Sequence, residues 1–202
     1  MMEGEKIAVK KILSILIISI MLVTSIIAIA DDSSELTWGM SKKEVEKALD
    51  STGIDAMNDA TSGGYDTLSF ENQKISKFDD ALLVCYFAND ALCMKLYAIN
   101  NARKAVVYDY IEKALENKYG SSDKDVDTCI RLLELNGVQG IDESSVKYLE
   151  KEDIITYATW KTEKDEKICL IHLNAGDTPM VNLIYFAPDS EVQEIKYDDS
   201  GL

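Results

Sequence analysis

Histidine occurs once in the 202 residues, at His172. No CxxC pair exists, and there is no glycine-rich phosphate loop. Serine-hydrolase, His-based zinc and dinucleotide-binding patterns are also missing. These gaps remove the most readable enzyme classes, because nucleophilic catalysis needs an oriented base beside its nucleophile. His172 follows Cys169 by three residues in a predicted strand, so the two side chains point to opposite faces. It reads as a structural or surface histidine. Positive charge is scarce too: 21 Lys and Arg stand against 36 Asp and Glu, for a net charge of −15. Such a surface repels phosphate backbones and anionic lipid heads, so nucleic acid is not an expected partner. A cationic partner, a divalent cation or plain solubility fits it better.

What the chain does have begins at its N-terminus. Lys6, Lys10 and Lys11 precede an uncharged apolar run from Ile12 to Ala30, which ends Ala28-Ile29-Ala30 before Asp31-Asp32. A basic segment, an apolar core and a small-x-small end are the parts of a secretory signal. Cleavage after Ala30 is expected, leaving an extracellular or cell-surface protein. The alternative is a retained anchor, since 19 residues approach the length that spans a bilayer. The membrane would then be touched only through residues 12–30. No cysteine follows the run to carry a lipid. The leader holds three lysines and two glutamates, so 18 basic and 34 acidic residues remain in 31–202, a net charge of −16.

Ser41 opens a helix with Glu44 three residues on, a capping box, and Met40 and Val45 form the staple around it. Gly53 stops it. Residues 50–66 read as loop. An antiparallel meander follows: Leu68 and Phe70 in one strand, Ile75 and Phe78 in a second, Ala81 to Phe87 in a third, Ala91 to Ile99 in a fourth. Asn72-Gln73, Asp79-Asp80 and Ala88-Asn89-Asp90 are the predicted turns. Val107, Ile111, Leu115 and Tyr119 recur every four residues and predict a helix over 103–119, stopped by Gly120. The acidic stretch 121–153 holds helical pieces near 126–135 and 145–151. Strands are expected at 154–160, 167–173 and 180–186, before an acidic tail at 188–202. Helix then strands, twice over, predicts an α+β domain with helices packed on one face of an antiparallel sheet.

Four cysteines remain, at 85, 93, 129 and 169, with three connectivities open. A three-residue turn at 88–90 would set Cys85 opposite Cys93 and permit a cross-strand disulfide. A two-residue turn would put them on opposite faces and exclude it. Asp123, Asp125, Asp127 and Glu134 fall at positions one, three, five and twelve of an EF-hand-like loop, so calcium is the candidate metal. Thr128 replaces the bend glycine there and Arg131 adds a positive charge. The competing reading is a helix start capped by Ser122, with Asp123 and Asp125 near the positive helix end. Tyr86, Tyr97, Tyr157, Tyr185, Trp38 and Trp160 lie in or beside strands, either as core or as an exposed binding face.

The stretch Trp38-Gly39-Met40-Ser41-Lys42-Lys43-Glu44-Val45 to Leu49 resembles the opening of SmpA/OmlA outer-membrane-assembly lipoproteins. It is also similar to secreted tandem-repeat proteins with the β-lactamase-inhibitor-protein (BLIP-like) fold. The hairpin around Asn89-Asp90 and the helix ending Lys118-Tyr119-Gly120 fit the same picture, as does Trp160 followed by Ile168, Leu170 and Tyr185. The resemblance implies tandem helix-plus-meander repeats at 31–102 and 103–187, with 121–153 inserted in the second. It is closest to exported proteins of Gram-positive bacteria. The expected role is non-enzymatic, with a protein or envelope component bound through a sheet face or the acidic insertion. The alternatives are an extracellular enzyme with a carboxylate site and a small-ligand or calcium-binding module.

Overall fold

The computed structural model describes residues 36–50, 58–62, 64–135, 138–174 and 178–188. The leader, the Gly53 stop, the turn at 175–177 and the tail beyond Pro188 lie outside the described residues.

Helix α1 spans Lys42–Asp50. Its capping box forms as the spacing predicts. The Ser41 N–H and hydroxyl both donate to Glu44 Oε2 at 2.8 Å, and the Glu44 N–H reaches Ser41 Oγ at 3.4 Å. These bonds hold the Glu44 carboxyl below its ordinary pKa, with the backbone bond from Ser41 the largest cause. Val45 and Leu49 are buried one turn apart, and Met40 packs beside them. Gly39 and Met40 lie along the next hairpin: the Gly39 N–H donates to Leu92 O, and the Leu92 N–H donates to Met40 O. Gly39 needs φ +82° for this, a left-handed value that side chains resist.

Among the described residues seven antiparallel strands form one sheet: β1 (Asn58–Ser62), β2 (Tyr65–Ile75), β3 (Phe78–Ala88), β4 (Ala91–Asn100), β5 (Ile155–Lys161), β6 (Lys167–Leu173) and β7 (Met180–Phe186). Their spatial order is β1-β2-β3-β4-β7-β6-β5. Three sequence expectations change here. β1 lies inside the stretch read as loop. Asn72-Gln73 is no turn: the chain continues as β2 through a register shift, with Asn72 left-handed at φ 56°. The turn falls at Ser76-Lys77, since Ile75 pairs with Phe78, and Asp79-Asp80 belongs to β3.

The β3–β4 turn is Asn89-Asp90, two residues with φ of 51° and 62°, because Ala88 pairs directly with Ala91. Two left-handed centres match strand twist, and Asn and Asp tolerate them. A register shift between Tyr86 and Phe87 then leaves Cys93 as the extra residue, and Cys85 pairs with Lys95. Cys85 and Cys93 enter different core clusters on opposite faces, so the proposed bond between them is not made. The Cys93 thiol donates instead to Tyr86 O. All four cysteines are free and buried.

Helix α2 (Tyr108–Tyr119) joins α1 on one face, over Phe70, Leu83, Tyr97, Leu170 and Leu183. Ile111 and Leu115 supply the buried stripe the spacing predicts. Helices α3 (Val126–Leu135) and α4 (Glu143–Lys151) pack against the opposite face, over Leu96, Ile171, Ile184 and Phe186. The antiparallel sheet with helices on one face is present as expected, in α1 and α2, and α3 and α4 add a layer over the other face. The reason is in the strands: Lys167–Leu173 and Met180–Phe186 are almost wholly apolar, so both faces need cover. The two strand groups meet at β4 and β7, paired from Met94 with Phe186 to Asn100 with Met180. Trp38 ties the halves again, its indole N–H donating to Glu166 Oε1 at 2.7 Å. The same ring lies 5.0 Å from Lys95 Nζ on the sheet below.

Candidate functional site on the helical hairpin

The strand aromatics are core. Tyr86, Tyr97, Tyr157, Trp160 and Tyr185 are all buried, and Trp38 packs partly exposed against the cluster that holds Tyr97, Trp160 and Tyr185. They form no exposed binding face. His172 is buried against the Tyr108 ring, and its Nε2 has no hydrogen-bond partner. Burial and then the Lys104 charge depress its pKa, against a bond to the Ala102 carbonyl and the charges of Asp153 and Asp109.

The acidic quartet does not converge. Asp123 pairs its backbone with Thr159 in both directions, at 2.8 and 2.9 Å. Asp125 caps α3: its carboxylate accepts from the Thr128 hydroxyl at 2.7 Å and the Thr128 N–H at 3.3 Å. Burial works to raise the Asp125 carboxyl, but the two Thr128 bonds and the Lys167 charge hold it below its usual value. Asp127 is in the first helical turn. The chain is helical from Val126, so Glu134 lies about 12 Å further along the axis than that residue. An EF-hand would keep this segment as a loop around the ion. Among the described residues no group of three or more His, Cys, Asp or Glu is placed to hold a metal. The calcium site is corrected to a helix start, capped by Asp125 rather than Ser122.

What the acidic insertion builds is an antiparallel helical hairpin. Its open end is pinned where Lys124 Nζ meets Glu150 Oε1 at 2.5 Å and lies 4.5 Å from the centre of the Tyr157 ring. At the other end Asp142 caps α4, accepting from the Ser145 N–H at 2.8 Å, the Ser145 hydroxyl at 2.7 Å and the Ser144 hydroxyl at 2.8 Å. Those bonds pull its carboxyl down to about 2, the Ser145 hydroxyl contributing most. Leu132, Leu133 and Val146 face the sheet.

Outside that seam runs a surface groove of about 430 Å³, lined by Val138, Gln139, Gly140, Ile141, Ser144, Ser145, Tyr148 and Leu149. Two of its side chains are large, apolar in body and exposed: Tyr148 at 60% and Val138 at 43%. Residues 121–153 carry nine acidic and four basic side chains, so the hairpin that bears the groove is net negative. An apolar cleft with a negative surround can take an apolar side chain flanked by cations. No protein-family model matches the chain, and no curated protein or solved structure is significantly similar to it. The sequence pointed to residues 121–153 only through their charge. The groove residues carry no spacing signal beyond the amphipathic pattern of α4.

Proposed function

We propose that this chain is an exported, non-enzymatic interaction protein. Its α3–α4 hairpin binds a cationic segment of a partner protein or envelope component that carries an apolar side chain. The exposure of Tyr148 and Val138 along a groove on an acidic hairpin carries this reading, while the other strand and helix aromatics are buried or packed half-buried against the core. Tyrosine supplies much contact area at low entropic cost, which suits a central anchor. Export is supported by the lysines, apolar run and small-residue end of residues 1–30. We also propose two BLIP-like repeats of the SmpA/OmlA kind. In support, α1 precedes one meander and α2 the other, both helices share a sheet face, and β4 meets β7 antiparallel.

The test is a titration of the full chain, followed by NMR, with three synthetic peptides. One is Lys-rich with a Phe and a Leu, one is its Glu-rich counterpart, and one is Lys-rich without apolar residues. The first should bind with shifts centred on 138–149 that weaken as salt is added. Tyr148→Ala should lower its affinity about tenfold or more without changing the thermal midpoint. Equal binding by the Glu-rich peptide, or no effect of Tyr148→Ala, would overturn the proposal. Fractionation with N-terminal sequencing tests export separately, and recovery in the cytoplasm with residues 1–30 intact would refute it.

A further inference from the structure

The turn from β2 to β3 is Ser76-Lys77, with Ile75 paired to Phe78 and Ser76 left-handed at φ 55°. It lies against the first turn of α2, where the Ser76 hydroxyl is 3.2 Å from the Tyr110 hydroxyl. The Phe78 and Tyr110 rings stand edge to face, their centres 5.7 Å apart and their planes at 88°. Both pack half-buried against the core cluster beneath α1 and α2, so each is held from behind. They form the two walls of a surface corner, and Lys77 fills it. Its Nζ is 3.7 Å from the centre of the Tyr110 ring and 5.4 Å from that of Phe78. Among the described residues this ammonium has no carboxylate partner, although the chain has a net charge of −15. Lys74 pairs with Asp79 at 3.6 Å in the same stretch. The rings hold the Lys77 cation where an acid could have done so, through the negative face that an aromatic ring presents.

We propose that the Phe78–Tyr110 corner is a binding site for a small methylated ammonium ion, with Lys77 as its built-in occupant. The lysine ammonium is compact and strongly hydrated, so it gains little by leaving water for the rings. A quaternary ammonium holds its water weakly, and its methyl groups bury apolar surface against both walls. Lys77 is exposed on a two-residue turn and has a flexible four-carbon stem, so it swings aside without disturbing the core. The negative surface raises the local concentration of cations. The corner belongs to the α1–α2 face of the sheet, away from the α3–α4 hairpin, and does not depend on the role proposed for that hairpin.

The experiment is an NMR titration of the full chain with choline chloride, ionic strength being matched with sodium chloride. The control is the uncharged alcohol in which carbon replaces the choline nitrogen. Choline should give saturable shifts centred on residues 76–78 and 110, with a dissociation constant in the millimolar range, and the alcohol should give none. Lys77→Ala empties the corner and should tighten choline binding about fivefold. Lys74→Ala removes the same charge nearby without opening the corner, and should leave the affinity almost unchanged. Tyr110→Leu should abolish binding, while Tyr110→Phe, which keeps the ring and loses the contact with Ser76, should retain it. Both lysine substitutions lie at exposed positions outside the core, so the test stands even where Tyr110→Leu fails to fold. Equal binding of the alcohol would overturn the proposal, as would equal tightening by Lys74→Ala. The absence of saturable shifts in the Lys77→Ala chain would also overturn it.

Discussion

Asn182 is 1% exposed in β7, and its Oδ1 has no hydrogen-bond partner. It sits between Ala98 and Ile171 on the face covered by α3 and α4. An orphaned buried carbonyl costs about 1–3 kcal/mol. Replacing it with valine removes that cost and adds a β-branched side chain suited to a strand, worth up to about 1 kcal/mol. Burial of the new methyls adds about 1 kcal/mol more. Loss of any bond made by the Asn182 amide N–H groups takes back about 1 kcal/mol. The balance for Asn182→Val is a gain of about 1–3 kcal/mol, or about 3–8 °C in thermal midpoint for a domain of this size. Urea unfolding checks it. The midpoint should rise with an unchanged slope, while Asn182→Ala, which removes the carbonyl but leaves a void, should gain less. A lower midpoint for both variants would refute the reasoning, because Oδ1 would then have to be paired in solution, for instance by a trapped water.

Three further predictions follow from local geometry. The pKa of His172 in the folded chain is below its unfolded value near 6.5, so the stability tied to its neutral form is fully present above about pH 6.5 and is lost as pH falls from there through the lower folded-state pKa. His172→Phe, which keeps a ring against Tyr108, should flatten the thermal midpoint between pH 7 and 5, and an unchanged slope would refute the assignment. Ser41→Ala should cost about 1 kcal/mol in chemical denaturation, and adding Glu44→Ala should cost less than the sum, since both share one box. Gly39→Ala should cost about 1 kcal/mol from backbone alone, because a Cβ there would meet nothing within 4 Å but would sit at positive φ. A neutral result would mean that the segment moves off Leu92 without penalty.

The features legible in the sequence were those written in a few neighbouring residues. Ser41 and Glu44 announce a helix start because both partners of the box are three apart. Val107, Ile111 and Leu115 announce a buried stripe, and the structure puts all three in the core. Errors arose where distant pairing overrides local chemistry. Asn72-Gln73 looks like a turn, yet the ladder with β3 holds it in a bulge. Asn58-Asp59-Ala60-Thr61-Ser62 has no apolar alternation to read, and its backbone pairs with β2 as an edge strand. One residue decided the cysteines: whether Ala88 belongs to the turn or to the strand flips Cys85 relative to Cys93. Residues 126–135 show the same period whichever face they cover, so the second helical layer had no separate signature. Tyr148 and Val138 were invisible as a site, since exposure of an aromatic is settled by the fold and not by its neighbours in sequence.

The pairing of β4 with β7 has a consequence for how the chain is made. Its partners are 80 residues apart at Asn100 and Met180, and 92 apart at Met94 and Phe186. Strand β4 is therefore complete long before its neighbour is synthesised, and its inner edge must wait with apolar side chains on both faces. An unpaired edge of this kind invites other chains. A ribosome that stops short of residue 180 would release a product with that edge open at the middle of the sheet. Strand β7 is what closes the middle of the sheet, and a copy that lacks it presents an apolar edge open to aggregation and proteolysis.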